Sequence, residues 1–236
     1  MSPGRRSGLN AQAMPATASA NTDRSAPDRL REAGLLAGAS LLVEFVSSTN
    51  RGHRADLALF RAVNRGHGPA ADAFFGGLTE LGSITASAAG TAVLAVGGRR
   101  RAALMGAGAA GSMWLVGQGL KKLYLRTRPY DRVPDLVRLL IGRPPGTSWP
   151  SSHPAVLLAF LTVAGEELGL SRAERAALTA LAGMVAVSRT YLGVHYPSDV
   201  IAGMLLGRAV AQAWLAAGGR SAGGAESEPS LAPVGR

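Results

Sequence analysis

Arg189, His195 and Asp199 fall within eleven positions of one another in the stretch SRTYLGVHYPSDV, residues 188–200, between two segments that are otherwise apolar and small. Ionisable groups inside or beside a membrane-like segment are costly, so their presence points to a site. A guanidinium at 189 grips a phosphoryl group through two parallel hydrogen bonds. Asp199, four residues after His195, is within reach of one imidazole nitrogen. A carboxylate on Nδ1–H fixes the tautomer and leaves a lone pair on Nε2, which suits a nucleophile or a general base. The plainer alternative is an interfacial histidine followed by a Pro-Ser-Asp helix start.

Two upstream stretches carry related chemistry. KKLYLRTRP (121–129) places Lys121 and Arg128 seven apart, about two helical turns, so both project from one side if the helix continues as far as Pro129. Alone, these are also ordinary basic residues flanking a membrane helix. GTSWPSSHPAVLLAF (146–160) leads a Pro-Ser-Ser-His turn into an apolar helix. Ser151 and Ser152 are good capping residues, and the unpaired N–H groups of a first helical turn, with the positive end of the macrodipole, favour an anion. His153 then stands at the rim of that site.

These stretches need helices to position them, and six candidate segments are present: 30–48, 81–98, 102–120, 153–170, 176–194 and 199–219. The run Ala102–Leu120 has nineteen consecutive uncharged residues, close to the roughly 20 that span a bilayer core. Glu44 interrupts the first segment, and Arg208 sits near the middle of the last. Pro197 is well placed to begin that last helix. Gly203 and Gly207 form a small-xxx-small pair suited to close helix contact.

Composition agrees with a membrane bundle. The 236 residues are 47% hydrophobic and only 17% charged, with 31 glycines, whereas soluble chains carry about 25% charged residues. Cysteine is absent, which excludes disulfides and thiolate metal sites. Residues 1–29 and 218–236 read as disordered tails flanking one domain at 30–217, whose motif-bearing core is 121–199. The net charge of +10 fits nucleic acid or anionic lipids and phosphorylated ligands. Arg99–Arg101, the Arg172/Arg175 loop and the N-terminal tail fall on one side, the cytoplasmic one by the positive-inside tendency, with both termini inside. Seven basic residues between Lys121 and Ser152 fall on the other side. A ligand anion explains this exception better than nucleic acid does, since interleaved aromatics are lacking there.

Taken together, the three stretches resemble the type 2 phosphatidic acid phosphatase superfamily, which includes bacterial acid phosphatases and vanadium haloperoxidases, and its integral membrane bacterial branch in particular. The family pattern is KxxxxxxRP, PSGH and SRxxxxxHxxxD. Here it reads Lys121…Arg128-Pro129, Pro150-Ser151-Ser152-His153 and Ser188-Arg189…His195…Asp199, with Ser152 where glycine is most common. Serine keeps the backbone N–H that this position donates to phosphate in the family.

The resemblance implies an all-α polytopic bundle of about six transmembrane helices in the cell membrane, with the active site at its extracytoplasmic face. It implies hydrolysis of a lipid phosphate monoester or diphosphate through a phosphohistidine, with no metal and no cofactor. Candidate substrates are phosphatidic acid, phosphatidylglycerol phosphate and polyprenyl phosphates or diphosphates. By this reading His195 attacks phosphorus, Asp199 orients it, and His153 protonates the leaving oxygen and then activates water. Lys121, Arg128, Arg189 and the N–H groups of Ser151 and Ser152 hold the phosphoryl oxygens. The alternatives are a non-catalytic lipid-phosphate-binding membrane protein and a vanadate-dependent haloperoxidase.

Overall fold

The computed structural model describes residues 24–223, with side chains described through residue 218. The tails expected at the two ends lie largely outside the described residues. Where they overlap, the helices are longer than expected: the first begins at Ala26 and the last runs to Gly223.

The described residues are helical throughout, without strands. The order is α1 (Ala26–Ser48), α2 (Asn50–Asn64), α3 (Pro69–Thr79), α4 (Ile84–Val96), α5 (Arg100–Leu123), α6 (Pro129–Arg132), α7 (Ser152–Glu167), α8 (Arg172–Tyr191) and α9 (Pro197–Gly223), with short 3₁₀ turns at Glu80–Gly82 and Pro134–Leu136. The six expected segments correspond to α1, α4, α5, α7, α8 and α9. Three of their starts, those of α1, α4 and α8, are set by side-chain caps. Ser25 accepts from the Asp28 N–H, Ser83 accepts from the Ala86 N–H, and Ser171 forms a reciprocal capping box with Glu174. α2 and α3 carry no long uncharged run, which is why the sequence reading assigned nothing to them. Thr49 caps α2, and Pro69 opens α3 after Gly68.

α7 is the central element, buried along most of its length between α5, α8, α9 and α4, while α1 lies along α9. Small residues bring the backbones together. A Cβ added at Gly203 would lie 2.4 Å from the Ser151 carbonyl oxygen, and one at Gly207 would lie 2.4 Å from that of Ala155. The paired glycines therefore let α9 seat directly on the start of α7.

The outer faces of α1, α4 and α5 are apolar. Leu35, Leu42, Phe45, Val93, Val96 and Leu104 are each more than half exposed, more apolar surface than a soluble monomer usually presents. Among the described residues, Pro197–Gly218 is long and apolar enough by composition to cross a membrane, and Ile84–Val96 is apolar but shorter. Alanine and glycine, with the charges near the ends of α1, α5 and α8, keep the other long helices from reaching the same apolarity.

Candidate active site

Because α5, α7, α8 and α9 alternate in direction, four chain segments far apart in sequence meet at one end of the bundle. These are the last turn of α5, the start of α7, the end of α8 and the start of α9. They bring Lys121, Arg128, Ser151, Ser152, His153, Arg189, His195 and Asp199 to the same end.

Lys121 and Arg128 do not share a helical face as expected. α5 ends at Leu123, well before Pro129, with Tyr124 already extended and its ring packed on Trp149 at 4.6 Å. Arg128 lies in the connection beyond, extended as a residue before proline must be. Lys121 Nζ donates to the Thr147 carbonyl at 2.9 Å, and Thr147 Oγ1 returns a bond to the Lys121 carbonyl. Arg128 is buried and fans out over backbone oxygens, donating to Gly146 at 2.9 Å, Val194 at 3.0 Å and Pro145 at 3.3 Å. Arg189, also buried, donates from Nη1 to Thr79 Oγ1 at 2.7 Å while its Nε has no partner among the described residues. None of these three cations has a carboxylate within ion-pair distance among the described residues.

His195 is 2% exposed, and its Nε2 lies 3.2 Å from Arg128 Nη1. A guanidinium only donates, so Nε2 is the acceptor and the proton belongs on Nδ1. Nδ1 faces Asp199 Oδ2 at 3.5 Å, longer than a hydrogen bond. Burial first, then the fields of Arg128, Lys121, Arg189 and His153, hold this imidazole well below its ordinary range. It is therefore neutral, with its lone pair towards the cations.

Asp199 is fully buried and its position is over-determined. Oδ2 accepts from the Tyr196 N–H at 2.8 Å and from Ser148 Oγ, and Oδ1 accepts from Arg126 Nη1 at 2.7 Å. Arg126 also pairs with Asp56 at 2.7 Å and Glu44 at 3.5 Å, and Ser198 donates to Asp56 from both its N–H and its hydroxyl. Arg126, Asp56, Ser148 and Thr79 were not singled out as site residues, and Glu44 was noted only as an interruption of an apolar run. Arg126 lies inside the KKLYLRTRP stretch, but nothing in the sequence spacing links it to α1 or α2.

The serine turn departs from expectation in one respect. Ser151 is the N-cap residue of α7, but its hydroxyl makes no capping bond and its N–H donates to the Asp199 carbonyl at 3.1 Å. That N–H is engaged with the protein, so what Ser151 offers a ligand is its buried, unpartnered hydroxyl. Ser152 Oγ is likewise unpartnered and faces Gly117 of α5, where an added Cβ would sit 3.3 Å away. The serine that replaces the commoner glycine is thus accommodated by a glycine opposite. His153 is half-buried and stands against the Glu80–Gly82 turn, where a Cβ on Gly82 would come within 2.8 Å of its own Cβ.

Gly193 sets the loop that carries His195. It adopts φ +84°, and a Cβ there would lie 2.7 Å from the Arg138 carbonyl, so both conformation and space call for glycine. Asn64 clamps the same loop, donating to the carbonyls of Arg138 and Tyr191.

A family model described as the PAP2 superfamily matches residues 101–221, about half of the chain and every site residue expected from the sequence. The chain belongs to the PAP2 superfamily. Among curated relatives, decaprenylphosphoryl-5-phosphoribose phosphatase of Mycobacterium tuberculosis, found in two strains, is 34% identical over 91 residues, 39% of this chain and 47% of that protein. The chain thus spans about half the length of the curated relatives it matches. Two solved structures share the fold. A transmembrane PAP2-type phosphatidylglycerolphosphate phosphatase from Bacillus subtilis aligns with a TM-score of 0.63 at 23% identity, over 81% of this chain and 96% of that one. LpxE of Aquifex aeolicus aligns with a TM-score of 0.60 at 28% identity, over 66% and 91%.

Proposed function

We propose that this PAP2 protein is a membrane lipid phosphatase, hydrolysing a phosphate monoester or diphosphate on a lipid through a phosphohistidine. The observation that carries the reading is the convergence of Lys121, Arg128 and Arg189, none with a carboxylate partner among the described residues, on a neutral buried His195. An anion completes such a site: as it enters, Arg128 transfers its Nη1–H bond from Nε2 to a phosphoryl oxygen and frees the lone pair to face phosphorus. Attack by Nε2 forms the N–P bond as the bond to the leaving oxygen breaks. Asp199, held by Arg126, Ser148 and the Tyr196 N–H, stabilises the imidazolium that results. His153, at the rim, protonates the departing oxygen and then takes a proton from water as the phosphoenzyme is cleaved. The cations neutralise the charge that spreads over the phosphoryl oxygens, while the Ser151 hydroxyl and the Ser152 N–H donate to them.

The exposed apolar faces of α1, α4 and α5 and the apolar length of α9 support insertion in the cell membrane. In the topology that fits best, α1, α4, α5, α7, α8 and α9 cross it, both ends of the chain are cytoplasmic, and the His195 end faces outward. A pocket at the bilayer rim admits a headgroup phosphate while the chains stay in lipid. Likeness to a decaprenyl-linked phosphatase favours a polyprenyl-linked phosphate among the candidate substrates.

The test is phosphate release by detergent-purified protein from phosphatidic acid, phosphatidylglycerol phosphate and polyprenyl phosphates, with His195→Ala as control. Turnover of at least one lipid, abolished in the variant and inhibited by orthovanadate as a mimic of five-coordinate phosphorus, is the expected result. Binding without release on every lipid would leave a lipid-phosphate receptor instead.

A further inference from the structure

The opposite end of the bundle contains a cavity of about 520 Å³ that none of the chemistry above uses. Three helix faces form it. α7 contributes Leu158, Leu161, Thr162 and Glu166, and α8 contributes Arg172, Arg175, Ala176, Leu178 and Thr179. α9 contributes Arg208 and Gln212, and the start of α1 closes the mouth with Arg29, next to Arg24. The spacings on α7 and α8 are those of single helical stripes, so the lining is a continuous surface.

Its charge is one-sided, with five arginines against Glu166. The nearby carboxylates are already engaged. Arg29 pairs with Glu166 and donates to Gln212 Oε1 at 3.1 Å, while Glu32 pairs with Arg24 and lies 3.5 Å from Arg208 Nε. Arg172 and Arg175 have no carboxylate within 4.0 Å and no hydrogen-bond acceptor among the described residues. Behind the arginines stand Leu158, which is packed in the core, and the half-buried Leu161 and Leu178. A cationic crevice between helices matches an anionic headgroup, and basic pockets between helices on the cytoplasmic side bind phospholipid headgroups. Two guanidinium forks at the mouth suit the two free oxygens of a phosphodiester.

We propose that this crevice is a second lipid site, distinct from the catalytic one, which holds the phosphodiester headgroup of an anionic phospholipid at Arg172, Arg175 and Arg208 while its acyl chains stay in the surrounding bilayer. The proposal rests on the membrane reading above, but not on catalysis. It accounts for Arg208, a charge in the middle of an otherwise apolar helix, as part of the cationic wall. A lipid seated there touches α7, α8 and α9 together and ties them at the end remote from His195.

The test uses full-length protein in detergent with orthovanadate present, so that the catalytic pocket is occupied. Phosphatidylglycerol, which has no terminal phosphate to hydrolyse, is the probe and phosphatidylcholine the control. Phosphatidylglycerol should be retained in native mass spectra and raise Tm by roughly 5 °C. Arg172→Gln/Arg175→Gln, on half-buried and exposed positions outside the catalytic pocket, should weaken retention at least tenfold and abolish the Tm rise. Turnover of a water-soluble aryl phosphate should be unchanged in that variant. Equal retention by variant and wild type, equal retention of phosphatidylcholine, or the same Tm rise from inorganic phosphate alone would overturn the proposal. Lipid retention is read without turnover, so a protein that releases no phosphate still tests this site; one that stays in solution without detergent removes the membrane reading beneath both.

Discussion

Arg126 and Arg128 are two residues apart, point into the same end of the bundle, and have opposite surroundings. Arg126 is saturated by three carboxylates, Asp199, Asp56 and Glu44. Arg128 touches only backbone carbonyls and the lone pair of His195. A buried charge with its full complement of opposite charges holds structure in place. A buried charge left with dipoles alone retains most of its attraction for an incoming anion. On the proposed function, the difference separates the part of the site that positions the nucleophile from the part that receives phosphate.

The largest effect should come from Arg128→Met. It removes a donor aimed at the phosphoryl group, so kcat/KM should fall about 10³-fold. Stability should move by no more than about 1 kcal/mol, because relief of repulsion with Lys121 and Arg189 offsets the lost carbonyl bonds. A variant that unfolds would place Arg128 with Arg126 after all.

Arg126→Met should behave in the other way, losing about 3–5 kcal/mol in chemical denaturation because three carboxylates are left without their cation. Adding Asp56→Leu should recover part of that loss, a non-additivity that a mere contact deletion would not give. Independent, additive losses would show that the carboxylates are not held as one cluster.

Gly203→Ala comes next. The added methyl must push α9 off the Ser151 carbonyl, and overpacking of this kind costs about 1–3 kcal/mol. Because Asp199 and Ser151 share that contact, kcat should fall more than thermal stability alone explains. A fully active, slightly destabilised variant would show that the contact serves packing only.

The smallest effect is in pH dependence. In the proposed mechanism His195 attacks only when neutral, and its surroundings lower its pKa, so the neutral form persists to lower pH than for a free imidazole. The acid limb of kcat/KM should therefore lie below pH 6.5, once the substrate's own ionisation near 6 is separated. A limb above 6.5 would mean that the cations do not act on His195 as their placement implies.

Much of the candidate site was legible because the residues that converge at this end of the bundle carry their chemistry in their own identities and local spacing. His195 and Asp199 are four apart, Pro197 opens α9, and the glycine pair predicts the backbone contact that the fold contains. What was not legible depends on contacts between distant segments. The pairing of Arg126 with Glu44 and Asp56, and of Arg189 with Thr79, joins residues 70 or more positions apart. The early end of α5 coincides with the packing of Tyr124 against Trp149, a contact that helix periodicity cannot show. The Ser151 N–H was assigned to the ligand because an N-terminal turn usually has it free; only the packing of α9 reveals that Asp199 uses it.

The glycine contact between α9 and α7 also has a mechanical consequence. Backbone resting on backbone leaves no side chain to rotate away, so the serine turn and the Asp199 helix start move as a single stiff part. The connection between α5 and α7 is tied to that part, because its Arg126 and Ser148 both donate to the Asp199 carboxylate. Within it, Arg128 donates to Gly146 of the same connection and to Val194 of the loop that carries His195, so that loop is held to the same stiff end.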